Sequence, residues 1–143
     1  MLGLDTVFLR DAPDGELRFI ARSQGRILLS RDCRLVKVLG DQAWQVTGSG
    51  VHEEFTSIAS KLAGKGCRPA PLSRCLECNG ELIPIDPVSA KAKAPPHVLD
   101  IGLDLMSCTD CGKVYWKGTH RERMDAEVRW MEGELKKRRR QDD

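Results

Sequence analysis

Apolar and polar positions in the first half of the chain alternate as expected for a strand–helix repeat. Residues 4–9 predict a strand, and residues 16–24 predict a helix that ends at Gly25, because apolar side chains recur there on one face. The short apolar run at 27–29 is typical of a buried parallel strand. The same pattern predicts a helix, a strand and a helix at residues 34–39, 43–47 and 51–63. A small parallel sheet with right-handed helical crossovers follows from this order.

The pattern changes after a linker at residues 65–74. Short strands are predicted at 81–85 and 113–116, and the intervening segment 86–97, which contains SAKAKAPP, predicts a mobile loop. Residues 121–140 predict a highly charged helix. Its apolar positions recur at spacings typical of one helix face, at Met124, Val128, Met131 and Leu135.

Two cysteine pairs carry the strongest chemical signal in the chain. Each pair has two intervening residues and is followed at once by a turn, Asn79-Gly80 after the first and Gly112 after the second. This spacing lets both sulfurs of a pair face one tetrahedral ion, and two such knuckles make a closed four-thiolate zinc site. The predicted ligands are Cys75, Cys78, Cys108 and Cys111. A closed site leaves no open coordination position, so this zinc is structural.

Other uses of the four cysteines agree less well with the sequence. A redox motif would be a single pair beside a βαβ pattern. Disulfides would suit a secreted chain, but no apolar signal segment opens this sequence. Cys33 and Cys67 lie outside both pairs and are interpreted as small, partly buried thiols.

Length and charge exclude some classes of protein. The chain of 143 residues allows one ordinary domain or two small ones, and its net charge of +2 gives no overall basic field that would by itself indicate nucleic-acid binding. No apolar stretch approaches the ~18 residues of a transmembrane helix. We expect a cytoplasmic protein without a small-molecule cofactor, with an α/β domain at 1–66, a zinc ribbon at 72–120 and a charged helix or tail at 121–143.

Three acidic residues lie where a parallel sheet would place a site. Asp32 follows the predicted buried strand, and Asp14 and Glu16 stand at the start of a predicted helix. Ligand sites form at the carboxyl ends of parallel strands, and clustered carboxylates there can hold Mg²⁺ or Mn²⁺. The competing interpretation is helix capping, by Asp32 for the helix at 34–39 and by Asp11 or Asp14 for the helix before it. The residues alone leave both interpretations open.

The order of these motifs resembles a known family. MLGLDT, DGELRFIARSQGRILLSRD, RCLECNGEL and CTDCGKVYWKGTH together resemble the PIN-like ribonuclease domain of the Mut-seven C-terminal type, over about residues 1–124. The resemblance implies a PIN-like α/β fold with an appended zinc ribbon, divalent-metal-dependent hydrolysis of phosphodiesters, and RNA as the substrate and partner. It places the catalytic acids on Asp14, Glu16 and Asp32 and the ribbon ligands on the four paired cysteines. Asp5 also matches an acidic family position, without an assigned role.

The chain departs from the family pattern at its start. Members of the family have a strand with an aspartate, and then a helix, before the Leu-Gly-x-Asp-Thr segment, whereas this sequence begins at Met1 within that region. We therefore expect the first strand of the sheet to be missing, which would favour self-association through the incomplete sheet and would weaken activity. A non-catalytic RNA-binding or adaptor module is the alternative function.

Two residues after the second knuckle are predicted to contact nucleic acid. Trp116 could stack on a base while Lys117 neutralises a phosphate. The structural alternative is that Tyr115 or Trp116 covers the zinc knuckle.

Overall fold

The chain forms two compact units. The computed structural model describes residues 1–116 and 119–141, with the side chains of all of these except 119–121. The ribbon unit comprises residues 1–7 and 68–132, and the parallel-sheet unit comprises residues 8–67 and 133–143. The division into domains at 1–66, 72–120 and 121–143 stays a prediction.

Strands and helices alternate in the parallel-sheet unit as predicted. The elements are α1 (Asp14–Ser23), β1 (Leu28–Ser30), α2 (Cys33–Leu39), a short 3₁₀ turn (Gly40–Gln42), β2 (Ala43–Gln45) and α3 (Val51–Gly64). β1 and β2 pair in parallel, with Leu28 opposite Ala43 and Ser30 opposite Gln45. The fold is therefore mixed α/β with a small parallel sheet, which confirms the predicted class.

Helices α2 and α3 and the β1–β2 pair supply the buried side chains of this unit. Leu35 and Leu39 of α2 pack with Ala43 of β2, and Leu17 and Leu28 pack against them. On α3 the buried side chains are Phe55, Ile58, Ala59, Leu62 and Ala63. Helical spacing of the apolar residues therefore buries one face of each helix.

The predicted strand at residues 4–9 is wrong. This segment has no strand, and its first residues belong to the ribbon unit. Asn79 accepts a hydrogen bond from the Thr6 amide at 2.8 Å and donates one to the Leu4 carbonyl at 3.1 Å. A side-chain amide thus satisfies backbone groups that a neighbouring strand would otherwise have bonded.

The ribbon unit contains a three-stranded antiparallel sheet in the order β3-β4-β5. The strands are β3 (Leu82–Ile85), β4 (Leu105–Cys108) and β5 (Val114–Trp116). The predictions for β3 and β5 are confirmed, whereas β4, the central strand, was not predicted.

The prediction of a mobile loop at residues 86–97 is wrong as well. It contains helix α4 (Pro87–Ala90) and the start of helix α5 (Pro96–Asp100). The Asp86 carboxylate caps α4 by accepting from the Ser89 amide at 2.9 Å. Ala90 and Val98 are almost fully buried, in a cluster completed by Ala94, Leu105 and Val114. The alanine-rich segment therefore supplies part of the core.

The predicted C-terminal helix is confirmed as α6 (Thr119–Arg139). Three of its four predicted apolar positions are buried, namely Val128, Met131 and Leu135. Within residues 1–116 and 119–141, no helix is both long and apolar enough to cross a membrane.

Candidate functional site

The four paired cysteines converge on one point of the ribbon unit. Their sulfur atoms all lie within 4.8 Å of one another. Cys75 Sγ is 3.6 Å from Cys111 Sγ, and Cys78 Sγ is 3.4 Å from Cys108 Sγ, so each close pair joins the two knuckles. Cys75 and Cys108 are buried, whereas Cys78 and Cys111 are exposed.

This geometry fits a tetrahedral metal site. Zn–S bonds of about 2.3 Å in a tetrahedron place the sulfurs about 3.8 Å apart, close to the spacing found here. All six cysteines are free thiols, so no disulfide competes for them. Among the described residues, this quartet is the one group of three or more Cys, His, Asp or Glu side chains that could hold a metal ion. The site is consistent with structural zinc.

Local backbone turns aim the sulfurs inward. Asn79 has a φ of 63° and Gly112 a φ of 69°, so each knuckle turns through a left-handed residue. The Glu77 amide donates to Cys75 Sγ at 3.4 Å. Gly80 has no room for a side chain, because a Cβ there would lie 2.8 Å from Cys108 Sγ.

The pKa values of the thiols show why the quartet suits a cation. Burial raises the pKa of Cys75, but hydrogen bonds from Tyr115 and from the Cys78 and Glu77 amides outweigh it and lower this pKa to about 6. For Cys78, the Gly80 amide lowers the pKa, while the neighbouring thiols and desolvation together raise it to about 12. Four adjacent thiols thus resist simultaneous ionisation, and a bound divalent cation removes that resistance.

Tyr115 is the aromatic side chain that covers the first knuckle. Its hydroxyl lies 3.1 Å from Cys75 Sγ and accepts a hydrogen bond from the Leu76 amide at 3.1 Å. Lys113 of the second knuckle forms an ion pair with Glu77 of the first. These contacts hold the knuckles together around the sulfurs.

Of the two residues predicted to contact nucleic acid, Trp116 lies within the described part of the chain. Trp116 is half-buried and packs against the cluster around Ala90 and Val98. Lys117 lies outside the described residues. A role for Trp116 and Lys117 in binding RNA stays a prediction.

Asp32 is the N-cap of α2 and lies at the carboxyl end of β1. Its Oδ1 accepts from the Arg34 amide at 2.7 Å and from the Leu35 amide at 3.3 Å. The Asp32 amide in turn donates to Ser30 Oγ at 3.1 Å. Capping therefore occupies one carboxylate oxygen, while no donor in the described part of the chain bonds to Oδ2.

The other two acidic candidates lie in the first turn of α1. Asp14 and Glu16 are exposed, and α1 contacts β1 after a tight turn at Gly25. A helix that reverses into its neighbouring strand directs its N-terminus toward the carboxyl end of that strand. Asp14 is not a cap, since Pro13 occupies that position without a side-chain hydrogen bond. In the described structure these two carboxylates and Asp32 do not form a preassembled metal group.

A cleft at the carboxyl end of β2 was not predicted. It encloses about 430 Å³ and is lined by Thr47, Gly48, His52, Glu53, Thr56 and Ser57. Glu53 shapes its rim by accepting from the Ser49 amide at 2.8 Å. Arg31, which follows β1, pairs with Glu54 in the first turn of α3. The sequence signal that could have indicated this cleft is the Gly48-Ser49-Gly50 turn before α3.

The chain was compared with known proteins. It matches the family model of the Mut7-C RNAse domain over residues 1–128. The chain belongs to the Mut7-C RNAse domain family. This match confirms the resemblance drawn from the motifs and indicates a ribonuclease-like function. Comparisons of this Mut7-C chain with curated proteins and with solved structures gave no match.

Proposed function

We propose that this Mut7-C protein is a PIN-like ribonuclease that hydrolyses RNA with a divalent metal at the carboxyl edge of β1 and β2. The position of Asp32 carries the proposal, because this residue lies two positions beyond the end of a parallel strand and its carboxylate keeps Oδ2 available among the described residues. Asp14 and Glu16 at the start of α1 are proposed as the further acidic ligands. Family membership supports RNA as the substrate class.

The residues around Asp32 would orient it for this role. The two amides on Oδ1 fix the carboxylate plane, and the Ser30 hydroxyl holds the Asp32 backbone. The Arg31–Glu54 ion pair ties the residue before Asp32 to α3. Carboxylate oxygens suit Mg²⁺ or Mn²⁺, which when bound would supply an activated water and charge stabilisation for the scissile phosphate.

The zinc site has a different role in this proposal. Four thiolates fill a tetrahedral coordination sphere, so zinc would stabilise the ribbon and would not touch the substrate. Its binding energy would contribute to folding of the ribbon unit.

A non-catalytic RNA-binding or adaptor module is the second candidate. The observation that favours it is the exposure and separation of the three carboxylates among the described residues. An adaptor would bind RNA equally well with and without Mn²⁺ and would leave it intact.

Cleavage of a labelled single-stranded RNA in Mn²⁺ and in EDTA tests the proposal. Asp32→Asn should reduce the Mn²⁺-dependent rate by roughly 100-fold or more, the scale seen when one charge-stabilising group is removed. The fold should persist, because asparagine caps helices about as well as aspartate. Asp41→Asn is the matched control, since Asp41 is exposed in the 3₁₀ turn after α2. Equal rates for Asp32→Asn and wild type would exclude Asp32 from catalysis, and absence of cleavage by wild type would favour the adaptor.

A further inference from the structure

Charge is divided unequally between the two compact units. The parallel-sheet unit contains 14 lysines and arginines against 10 acidic residues, a net charge of +4. The ribbon unit contains 9 basic and 11 acidic residues, a net charge of −2 before any contribution from thiolates and zinc. The modest charge of the whole chain therefore conceals a basic unit, and that unit carries the proposed catalytic edge.

Residues 133–143 contribute half of this net charge, with five basic and three acidic residues. The basic residues lie at the end of α6 and directly after it. Five consecutive cations occupy residues 136–140. Lys137 pairs with Glu134 at 2.6 Å, and Arg138 approaches the same carboxylate at 4.0 Å. Lys136 and Arg140 are exposed, and no carboxylate in residues 1–116 or 119–141 pairs with them. Because they are four residues apart, they lie on the same side of the helix.

This helix end is held in place on the parallel-sheet unit. The Arg139 guanidinium donates a hydrogen bond to the Cys67 carbonyl, just beyond α3. Leu135, one turn earlier in α6, is 2% exposed. Lys65, two residues before Cys67, is exposed and has no acidic partner among the described residues. Lys65, Lys136 and Arg140 form what we call the basic surface.

Helix stabilisation alone does not account for the basic surface. One or two cations in a last turn suffice to complement the helix dipole, and Lys137 and Arg138 already lie there. Further unpaired cations repel one another, which destabilises the fold unless an anion neutralises them. The basic end also lies beyond residue 128, where the match to the family model stops. It is therefore a feature that family membership does not assign.

We propose that the basic surface binds the phosphate backbone of single-stranded RNA, independently of base sequence. The inference rests on RNA being the substrate of the proposed function. Lysine and arginine side chains that neutralise phosphates release counterions, so such contacts give affinity without sequence preference. No aromatic side chain is needed for this role. The surface would hold RNA on the same unit that carries Asp14, Glu16 and Asp32.

Fluorescence anisotropy of an oligouridine of about 16 nucleotides, recorded in EDTA over a range of salt, tests the inference. The test protein is the full chain with Lys136→Gln and Arg140→Gln together. Loss of two phosphate contacts should weaken binding roughly 25-fold at 0.1 M salt and should lower the slope of log K against log salt by about 1.4.

The matched control is Arg22→Gln with Lys37→Gln. These residues are also one arginine and one lysine, each in the last turn of a helix of the same unit. The control removes the same net charge from residues outside the basic surface, so affinity and slope should change much less if the basic surface itself binds RNA. Thermal unfolding of both variants verifies that each remains folded. Equal losses of affinity in the two variants would show that only the net charge matters. No loss in either variant would show that the basic surface does not bind RNA. Either result would overturn the inference.

Two further measurements separate this inference from the proposed function. If the Lys136/Arg140 variant binds oligouridine as wild type does while wild type cleaves RNA in Mn²⁺, the inference about the basic surface is wrong and the proposed nuclease function is supported. If wild type fails to cleave but the variant loses binding, the surface stands and the nuclease is wrong. Vesicles of phosphatidylcholine and phosphatidylserine form the last arm. If vesicle binding depends on Lys136 and Arg140 but RNA binding does not, RNA is not the ligand of the basic surface and the inference is overturned.

Discussion

The Tyr115 hydroxyl lies 3.1 Å from the sulfur of Cys75, a residue 40 positions earlier in the chain. Tyr115 belongs to β5 and Cys75 to the first knuckle, so this contact joins the two halves of the candidate metal centre. Outer groups that hydrogen-bond to metal ligands orient those ligands and adjust how strongly they bind.

Tyr115→Phe should therefore weaken metal binding while keeping the aromatic ring. We expect the zinc affinity to fall by about 10- to 100-fold, the usual effect of losing an outer-shell hydrogen bond. Competition with a chromogenic chelator measures it. Trp116→Phe is the control. Trp116 follows Tyr115 in β5, so its side chain points to the opposite face of the sheet, where it packs on the Ala90 cluster. Equal zinc affinity in Tyr115→Phe and wild type would contradict the role given to the hydroxyl.

The first knuckle requires glycine at position 80, because there is no space there for a side chain. An alanine Cβ would lie 2.8 Å from Cys108 Sγ and 2.6 Å from Asp110 Oδ2, and a ligand sulfur has little freedom to move. Gly80→Ala should reduce zinc content and lower the unfolding temperature. Gly15→Ala is the control, since nothing lies within 4 Å of its added Cβ, and it should stabilise α1 by up to about 1 kcal/mol. Zinc analysis and thermal unfolding check both, and full zinc occupancy in Gly80→Ala would show that the first knuckle can adjust.

Much of the parallel-sheet unit could be predicted because local signals agree there. Leu17 and Ile20 mark one face of α1, and Asp32 and Gly40 bound α2. The cysteine quartet was predictable because tetrahedral thiolate coordination fixes the spacing within each pair.

The failures have a common cause in contacts between distant parts of the chain. Residues 4–9 read as a strand, but the partner of Leu4 and Thr6 is the side chain of Asn79. Buried and exposed residues do not alternate along β4, since the consecutive residues Ser107 and Cys108 are both buried, and a strand of this kind has no clear sequence pattern. Ala90 looks like a loop residue in sequence, yet its small side chain is what allows close packing.

The arrangement of the acidic residues could not be predicted either. Whether Asp14, Glu16 and Asp32 act together depends on side-chain positions at the edge of the sheet, which no local pattern encodes. The capping interpretation of Asp32 is confirmed, and it is compatible with metal binding because a carboxylate has two oxygens.

The cap makes a separate prediction about stability. Asp32→Ala removes the acceptor for two amides at the start of α2 and should cost about 1 kcal/mol of unfolding free energy, whereas Asp32→Asn should cost much less. Urea denaturation of both variants measures the difference. Equal stability of the alanine and asparagine variants would show that the cap contributes nothing.

The central claim is that the acidic edge of the parallel sheet binds a divalent metal. Titration of the zinc-loaded protein with Mn²⁺, followed by the loss of the free Mn²⁺ electron paramagnetic resonance signal, tests it most directly. We predict a saturable site in wild type and in Asp41→Asn that is lost or strongly weakened in Asp32→Asn and in Asp14→Asn. Mn²⁺ binding of equal strength in all four proteins, or no saturable binding in wild type, would contradict the account.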